Sequence, residues 1–265
     1  MTILSDIIKT KNEEVKRLRD NVSYEDWMRA IAPLPKPRSL AHALRNKTPL
    51  ALLAEIKKAS PSKGVIQPDF QPVKQALAYV AGGADALSVL TDETYFQGSV
   101  QVLKQVREAV TIPILRKDFI VDEWQVYESR AIGADAILLI AAALSEEQLA
   151  HLYHLATDLD LEVLLEVHSE LEWAQVASLH PAIVGINNRD LRTFEVNLEH
   201  TVEIAKAIAP ETLIVSESGL ARHEDVLTVQ KAGASAILVG ETLMRSGVDG
   251  ALQAIAALLY GVPAS

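Results

Sequence analysis

The 265-residue chain contains no cysteine, which excludes disulfides, cysteine-bound zinc and a thiol nucleophile. Aromatic side chains make up only 5% of it. Trp124, Tyr127 and Trp173 fall inside helical patterns, where they read as packing. Positive charge is in deficit: 25 Lys and Arg face 35 Asp and Glu, for a net charge of −10. Nucleic acid and anionic membrane are therefore not expected as main partners. No apolar run approaches the roughly 20 residues needed to span a bilayer. Met1 to Asp6 lacks the basic start and apolar core of a leader, so a cytoplasmic protein is expected. The histidines form no ligand cluster; His151 and His154 stand on one helical pattern without an accompanying carboxylate motif. Ser218 lacks an elbow pattern, and no dinucleotide fingerprint is present. Neither a metal nor a cofactor is expected.

Apolar residues, by contrast, make up 49% of the chain, enough for a large core. The first segment places Ile3, Leu4, Ile7, Ile8, Val15 and Leu18 at helical spacing, and a second short helix is predicted over Tyr24 to Ile31. Pro33, Pro35 and Pro37 form a stiff connector. Residues 1–47 thus read as a helical extension, too small for a separate domain, and residues 48–265 as one domain. In that domain apolar runs at Leu50–Ile56, Ala86–Leu90, Ile112–Leu115, Ala136–Ile140, Glu162–Val167, Ala182–Ile186, Leu213–Val215 and Ala236–Val239 alternate with helical patterns. Near-continuous apolar strands alternating with helices imply a parallel sheet covered by helices. Eight such units favour an α/β fold of the closed (β/α)8 TIM barrel type with an N-terminal helical extension. Gly83-Ala84-Asp85-Ala86, Gly133-Ala134-Asp135-Ala136 and Gly233-Ala234-Ser235-Ala236 each precede a strand, an echo of repeated architecture with no weight for function.

The chemistry-bearing residues stand where the apolar runs end. Side chains alternate along a strand, so Glu55 shares a face with Lys57, and Asn187 with Arg189. Lys117, Glu166, Glu217 and Glu241 close the third, fifth, seventh and eighth runs. In such a barrel these ends share one mouth. Taken singly, each lysine or glutamate there could be a solvated rim residue or an ion-pair partner, and Asn187-Asn188-Arg189-Asp190 could be turn chemistry. Recurrence at equivalent positions of six strands marks a site instead. Two lysines in one cleft are expected to lower each other's pKa, making one a usable acid. Ser218-Gly219 and Gly240 follow the last two strands, where glycine lets backbone amides approach an anion. They read as a phosphate cradle, with Lys57 and Ser60-Pro61-Ser62 able to close over it; the bland alternative is a pair of tight turns.

Five motifs carry a resemblance: Glu55 to Gly64 (EIKKASPSKG), Leu90 to Ser99 (LTDETYFQGS), Arg116 to Ile120 (RKDFI), Gly185 to Leu191 (GINNRDL) and Ser216 to Gly219 (SESG). The chain resembles indole-3-glycerol phosphate synthases, in the monofunctional form. The resemblance implies conversion of 1-(2-carboxyphenylamino)-1-deoxyribulose 5-phosphate to indole-3-glycerol phosphate, with release of carbon dioxide and water, in tryptophan biosynthesis. It implies Lys117 as general acid and Glu166 as general base with Glu55 beside it. Lys57 would contact the substrate carboxylate or phosphate and serve as a second acid. Asn187, Arg189 and Glu217 would orient the anthranilate part and the sugar hydroxyls. Ser60, Ser218, Gly219, Gly240 and Glu241 match phosphate-loop positions, Pro61 adjoins them, and Phe96, Phe119 and Leu138 match apolar contacts to the aryl ring. Glu241 departs from members with serine there, and is tolerable only if its side chain turns away from the phosphate. The first helix also lacks the tryptophan that some members place against the substrate. A small phosphorylated substrate and a monomer are expected. The rival expectations are another phosphate-sugar barrel enzyme, of the phosphoribosylanthranilate isomerase or tryptophan synthase α type, and a non-catalytic phosphate-binding barrel.

Overall fold

The computed structural model describes residues 2–190 and 193–261. Three helices come first: α1 (Ile3–Asn21), α2 (Tyr24–Ile31) and α3 (Leu40–Leu44). Reciprocal caps begin the first two, Thr2 with Ser5 and Ser23 with Asp26, each satisfying amides that the first turn leaves free. Eight parallel strands follow: β1 (Ala51–Ile56), β2 (Ala86–Leu90), β3 (Ile114–Lys117), β4 (Ala136–Ile140), β5 (Glu162–Val167), β6 (Ile183–Asn187), β7 (Leu213–Glu217) and β8 (Ala236–Val239). Each pairs with the next, and β8 returns to β1 with Ala236 opposite Ala51, closing the barrel. The outer helices are α4 (Pro72–Ala81), α5 (Val100–Ala109), α6 (Glu123–Ala131), α7 (Glu146–Asp158), α8 (Glu170–Val176), α9 (Glu199–Ala205), α10 (His223–Lys231), α11 (Glu241–Arg245) and α12 (Gly247–Tyr260). Among the described residues no helix is long and apolar enough to cross a membrane.

Strand alternation sorts the apolar residues into two cores. Leu52, Ala54 and Ile56 join the shell between strands and helices, whereas Ala51 and Leu53 join the barrel interior. The interior set continues through Leu115, Leu138, Leu164, Val215 and Leu238, so the barrel is a packed core up to the level where the strands turn polar. Leu40 and Leu44 of α3 belong to the same interior cluster. α3 plugs the bottom, held by Glu162, whose carboxylate accepts from Ser39 Oγ and Ala41 N, both at 2.7 Å. The three-fold echo is structural too. Gly83, Gly133 and Gly233 have φ of 93°, 87° and 98°, a region that favours glycine. The polar residue two positions on accepts from the first amides of a neighbouring strand: Asp85 from Leu52 N, Asp135 from Ile114 N and Ser235 from Ile214 N.

Expected strands Ala86–Leu90, Ala136–Ile140, Glu162–Val167 and Ala236–Val239 coincide with the observed ones at both ends, and the others shift by one or two residues. Not anticipated, among the described residues, were α3, α11, a 3-10 turn over Ala141–Ala143 and a hairpin pairing Ala59–Ser60 with Gly64–Val65. All are too short to display a hydrophobic period.

Candidate active site

A cavity of about 540 Å³ opens at the C-terminal ends of the strands. All the residues proposed from the sequence line it: Glu55, Lys57, Lys117, Glu166, Asn187, Arg189 and Glu217; Ser60 and Pro61; Phe96, Phe119 and Leu138; and Ser218, Gly219, Gly240 and Glu241. Alternation explains the convergence. The same inward register that puts Leu53, Leu115, Leu164 and Val215 in the barrel core carries Glu55, Lys117, Glu166 and Glu217 into the cavity two residues later.

Lys117 Nζ lies 3.4 Å from Glu166 Oε2 and 3.7 Å from Glu217 Oε2. Asn187 Nδ2 donates to Glu166 Oε1 at 3.2 Å, so Asn187 holds one carboxylate oxygen while the other faces the lysine. Lys57 Nζ donates to Glu55 Oε1 at 2.5 Å. Space for these carboxylates is made by glycine. A Cβ at Gly185 would collide with Glu217 Oε1, and one at Gly240 would collide with Glu55 Oε1 and come within 3.1 Å of Lys57 Nζ.

The electrostatics correct one expectation. The two lysines were expected to depress each other's pKa. Burial does pull the Lys117 ammonium down, but the carboxylates of Glu166, Glu217 and Glu55 outweigh it, and its pKa is raised. Carboxylates outnumber ammonium groups here, so attraction between unlike charges wins. Burial pushes the Glu166 carboxyl up, yet Lys117, His168 and the Asn187 amide bring it below its usual value. Glu217 goes the other way: burial and the neighbouring carboxylates of Glu166 and Glu55 outweigh Lys117, raising it to about 8. Of these two strand-end acids Glu166 is thus the stronger, and Glu217 keeps its proton to a higher pH.

The apolar wall is built from loops. Phe96 and Phe119 stand with ring centroids 6.0 Å apart. Asp92 Oδ1 accepts from Tyr95 N and Phe96 N, and Asp118 Oδ1 from Phe119 N, fixing each ring at its base. α1 lies over this side, with Ile3, Leu4 and Ile7 in the cavity lining. This part of the wall is aliphatic. Lys11 secures the helix: its ammonium is buried and lies 2.9 Å from both Asp92 Oδ2 and Asp118 Oδ1.

On the opposite rim, Ser218 and Gly219 have consecutive positive φ values of 68° and 81°, forming a tight turn at the cavity edge. Asn188 braces it by donating to the carbonyls of Glu217 and Ser218. Thr242 Oγ1 reaches Leu220 O at 3.0 Å, joining the loops after β7 and β8. Glu241 turns its carboxylate to Arg245, at 3.0 Å, and toward Lys63, at 3.7 Å. Arg189 reaches the cavity edge, where its guanidinium donates to Phe194 O at 3.1 Å.

His168, Thr242, Arg245 and the apolar face of α1 also shape the site and were not singled out from the sequence. Only His168 had a local signal, a Ser-x-x-Glu cap following it at Ser169 and Glu172. Among the described residues no group of three or more His, Cys, Asp or Glu is arranged to hold a metal ion.

Comparison with known proteins agrees with this geometry. The N-acetylmannosamine-6-phosphate 2-epimerase of Clostridium perfringens superposes with a TM-score of 0.60 at 14% identity, covering 77% of this chain and 90% of that one; this likeness concerns the fold alone. Sequence similarity goes further. An indole-3-glycerol phosphate synthase of Geobacillus kaustophilus is 53% identical over 247 residues, 92% of both chains. One from Neisseria meningitidis serogroup B is 49% identical over 247 residues, 92% of this chain and 95% of its own. With residues 4–255 also matching the family described as indole-3-glycerol phosphate synthase, the chain belongs to the indole-3-glycerol phosphate synthase family.

Proposed function

We propose that this chain closes the pyrrole ring of 1-(2-carboxyphenylamino)-1-deoxyribulose 5-phosphate, releasing carbon dioxide and water to leave indole-3-glycerol phosphate. The observation that carries the proposal is a buried ammonium, Lys117, set between the carboxyls of Glu166 and Glu217, under an apolar wall and opposite glycine turns.

The ring carbon bearing the carboxylate attacks the ketose carbon, and Lys117 gives its proton to the carbonyl oxygen. The surrounding carboxylates keep that proton loaded on Lys117. Carbon dioxide leaves with the old carbon–carbon bond, and its electron pair restores the aromatic ring. The hydroxyl then departs as water after a second proton transfer, for which Lys57 is placed beside Glu55. Glu166, ionised in the resting site, takes the proton from the carbon next to nitrogen. Two protons are given and one is taken back, so each turnover draws one proton from solvent. Phe96, Phe119 and Leu138 bind the aryl ring. Ser60, with the amides of Ser218, Gly219, Gly240 and Glu241, receives the phosphate, and Lys57 and Arg189 complement the substrate's negative charge. Asn187 orients Glu166, and protonated Glu217 donates to a sugar oxygen.

The test is to supply the ribulose phosphate and follow indole fluorescence together with carbon dioxide release. Binding of a substrate analogue without product would indicate a non-catalytic barrel and overturn the proposal. Isomerisation of a phosphoribosyl anthranilate would overturn it in favour of a different barrel enzyme. We also infer a monomer working in the cytoplasm, testable by sedimentation and cell fractionation.

A further inference from the structure

His168 follows β5, two residues beyond Glu166, and its side chain is almost fully buried, at 12% exposure. Its ring stands between two carboxylates. Nε2 lies 3.3 Å from Glu166 Oε1 on the cavity side, and Nδ1 lies 3.3 Å from Glu172 Oε2 on the side of α8.

The local backbone shows that this placement is held. Ser169 caps α8 by accepting from Glu172 N at 3.2 Å. In the usual reciprocal cap the Glu172 carboxylate would return to the amide of Ser169. Here it reaches one residue further and accepts from the amide of His168 at 2.8 Å. One carboxylate oxygen therefore meets both the main chain and the ring of His168, which holds the ring with Nε2 3.3 Å from Glu166 Oε1 yet without a hydrogen-bond partner of its own.

A neutral imidazole has one N–H and one lone pair. Whichever nitrogen bears the proton, a neutral ring here would leave an unprotonated nitrogen 3.3 Å from a carboxylate oxygen. Only the imidazolium meets both sides favourably. Burial lowers the basicity of His168, but the Glu172 contact and the carboxylates of Glu166, Glu172 and Glu217 outweigh it and the pKa is raised. Those acids come from β5, α8 and β7, the elements whose charged groups face the ring.

Resting on the proposed role of Glu166 as base, we propose that His168 is a positioning residue for it. A cationic ring braced by Glu172 holds Glu166 ionised, with Oε1 turned to His168 and Asn187 and Oε2 left to Lys117 and the substrate. Glu172 is the outer member of this carboxylate–imidazolium–carboxylate row.

Two measurements test the proposal independently. The first is the protonation state of His168, read from the nitrogen NMR shifts of the imidazole in the full-length protein. A ring protonated at pH 7 is expected, with a lower pKa in Glu172→Gln; a neutral ring at pH 7 in the unsubstituted chain would overturn the proposal whatever the enzyme's activity. The second is the pH profile of kcat/KM for indole formation in His168→Asn. Loss of the cation should move the acid limb upward by about one pH unit, a loss of about tenfold below that limb, with a smaller change on the plateau. An unshifted limb in the folded variant would overturn the proposal, as would a uniform loss at all pH values matched by a lowered melting temperature. If His168→Asn does not fold, Glu172→Gln supplies both readouts, with a smaller shift in the same direction expected. Absence of indole product from the unsubstituted chain would instead count against the proposed reaction, and the NMR result would still decide the charge of the ring.

Discussion

Arg116, Lys117 and Asp118 are neighbours in sequence, yet they serve two different buried charge clusters. Lys117 points into the barrel mouth, while Asp118 turns to Lys11 of α1 and Arg116 to Glu128 and Ser129 of α6. The outer cluster is tightly matched. Asp118 Oδ2 accepts from Thr91 Oγ1 at 2.6 Å, Arg116 reaches Glu128 at 2.8 Å, and Lys11 lies 2.9 Å from both Asp92 and Asp118. The inner cluster is looser: Lys117 stands 3.4 and 3.7 Å from its carboxylates. Buried charges are costly unless paired, so short contacts outside are what a structural joint needs. Longer contacts inside are what a binding site needs, because the ligand completes them.

The largest effect expected is on the inner cluster. Lys117→Met should lower turnover by about 10²–10⁴-fold, the range for losing a general acid, while binding of a substrate analogue persists. Turnover and analogue titration measured together check this, and near-normal turnover would erase the contrast between the two clusters. Lys11→Met should do the reverse. Removing one partner leaves Asp92 and Asp118 buried without their ammonium, at a cost of about 3–5 kcal/mol in unfolding free energy. Urea unfolding measures that loss, and activity per folded molecule should change far less than for Lys117→Met.

Glu217 gives a subtler contrast. Folded, its carboxyl keeps a proton up to about 8, against a reference value of 4.5. Between those values the folded chain binds more protons than the unfolded one. The stability due to this group is therefore complete below the lower value and is lost as pH rises toward the higher. Glu217→Gln should flatten the stability profile across that window and raise the melting temperature at pH 8 relative to the unsubstituted chain, as followed by thermal denaturation over a pH series. The smallest effect belongs to Glu241→Gln. Its carboxylate pairs with the exposed Arg245 at the cavity rim, so it should cost under about 1 kcal/mol and leave KM nearly unchanged in steady-state assays.

The barrel was legible because its strands are bounded apolar runs and its helices are long enough to show a period. The polar strand ends were legible because alternation sends inward those charges that lie two residues beyond an inward apolar one, as Lys117 does after Leu115. Lys11 was not. Its spacing on α1 resembles a solvated face, and its burial comes from Asp92 and Asp118, which approach only after folding. His168 lacked a motif of its own, and its meaning depends on two carboxylates from different elements. The pKa of Lys117 was misjudged because the lysines were weighed against each other and the three glutamates were left out of the balance.

Gly185 and Gly240 carry a consequence for redesign. Both stand where a single added carbon would evict an acid, so the ring of charges tolerates no sculpting from the barrel staples themselves. Ile3, Leu4 and Ile7 border the same chamber from a separate helix. A bulkier or smaller aryl group is therefore best accommodated by recutting that helix, leaving the proton-handling machinery as it stands.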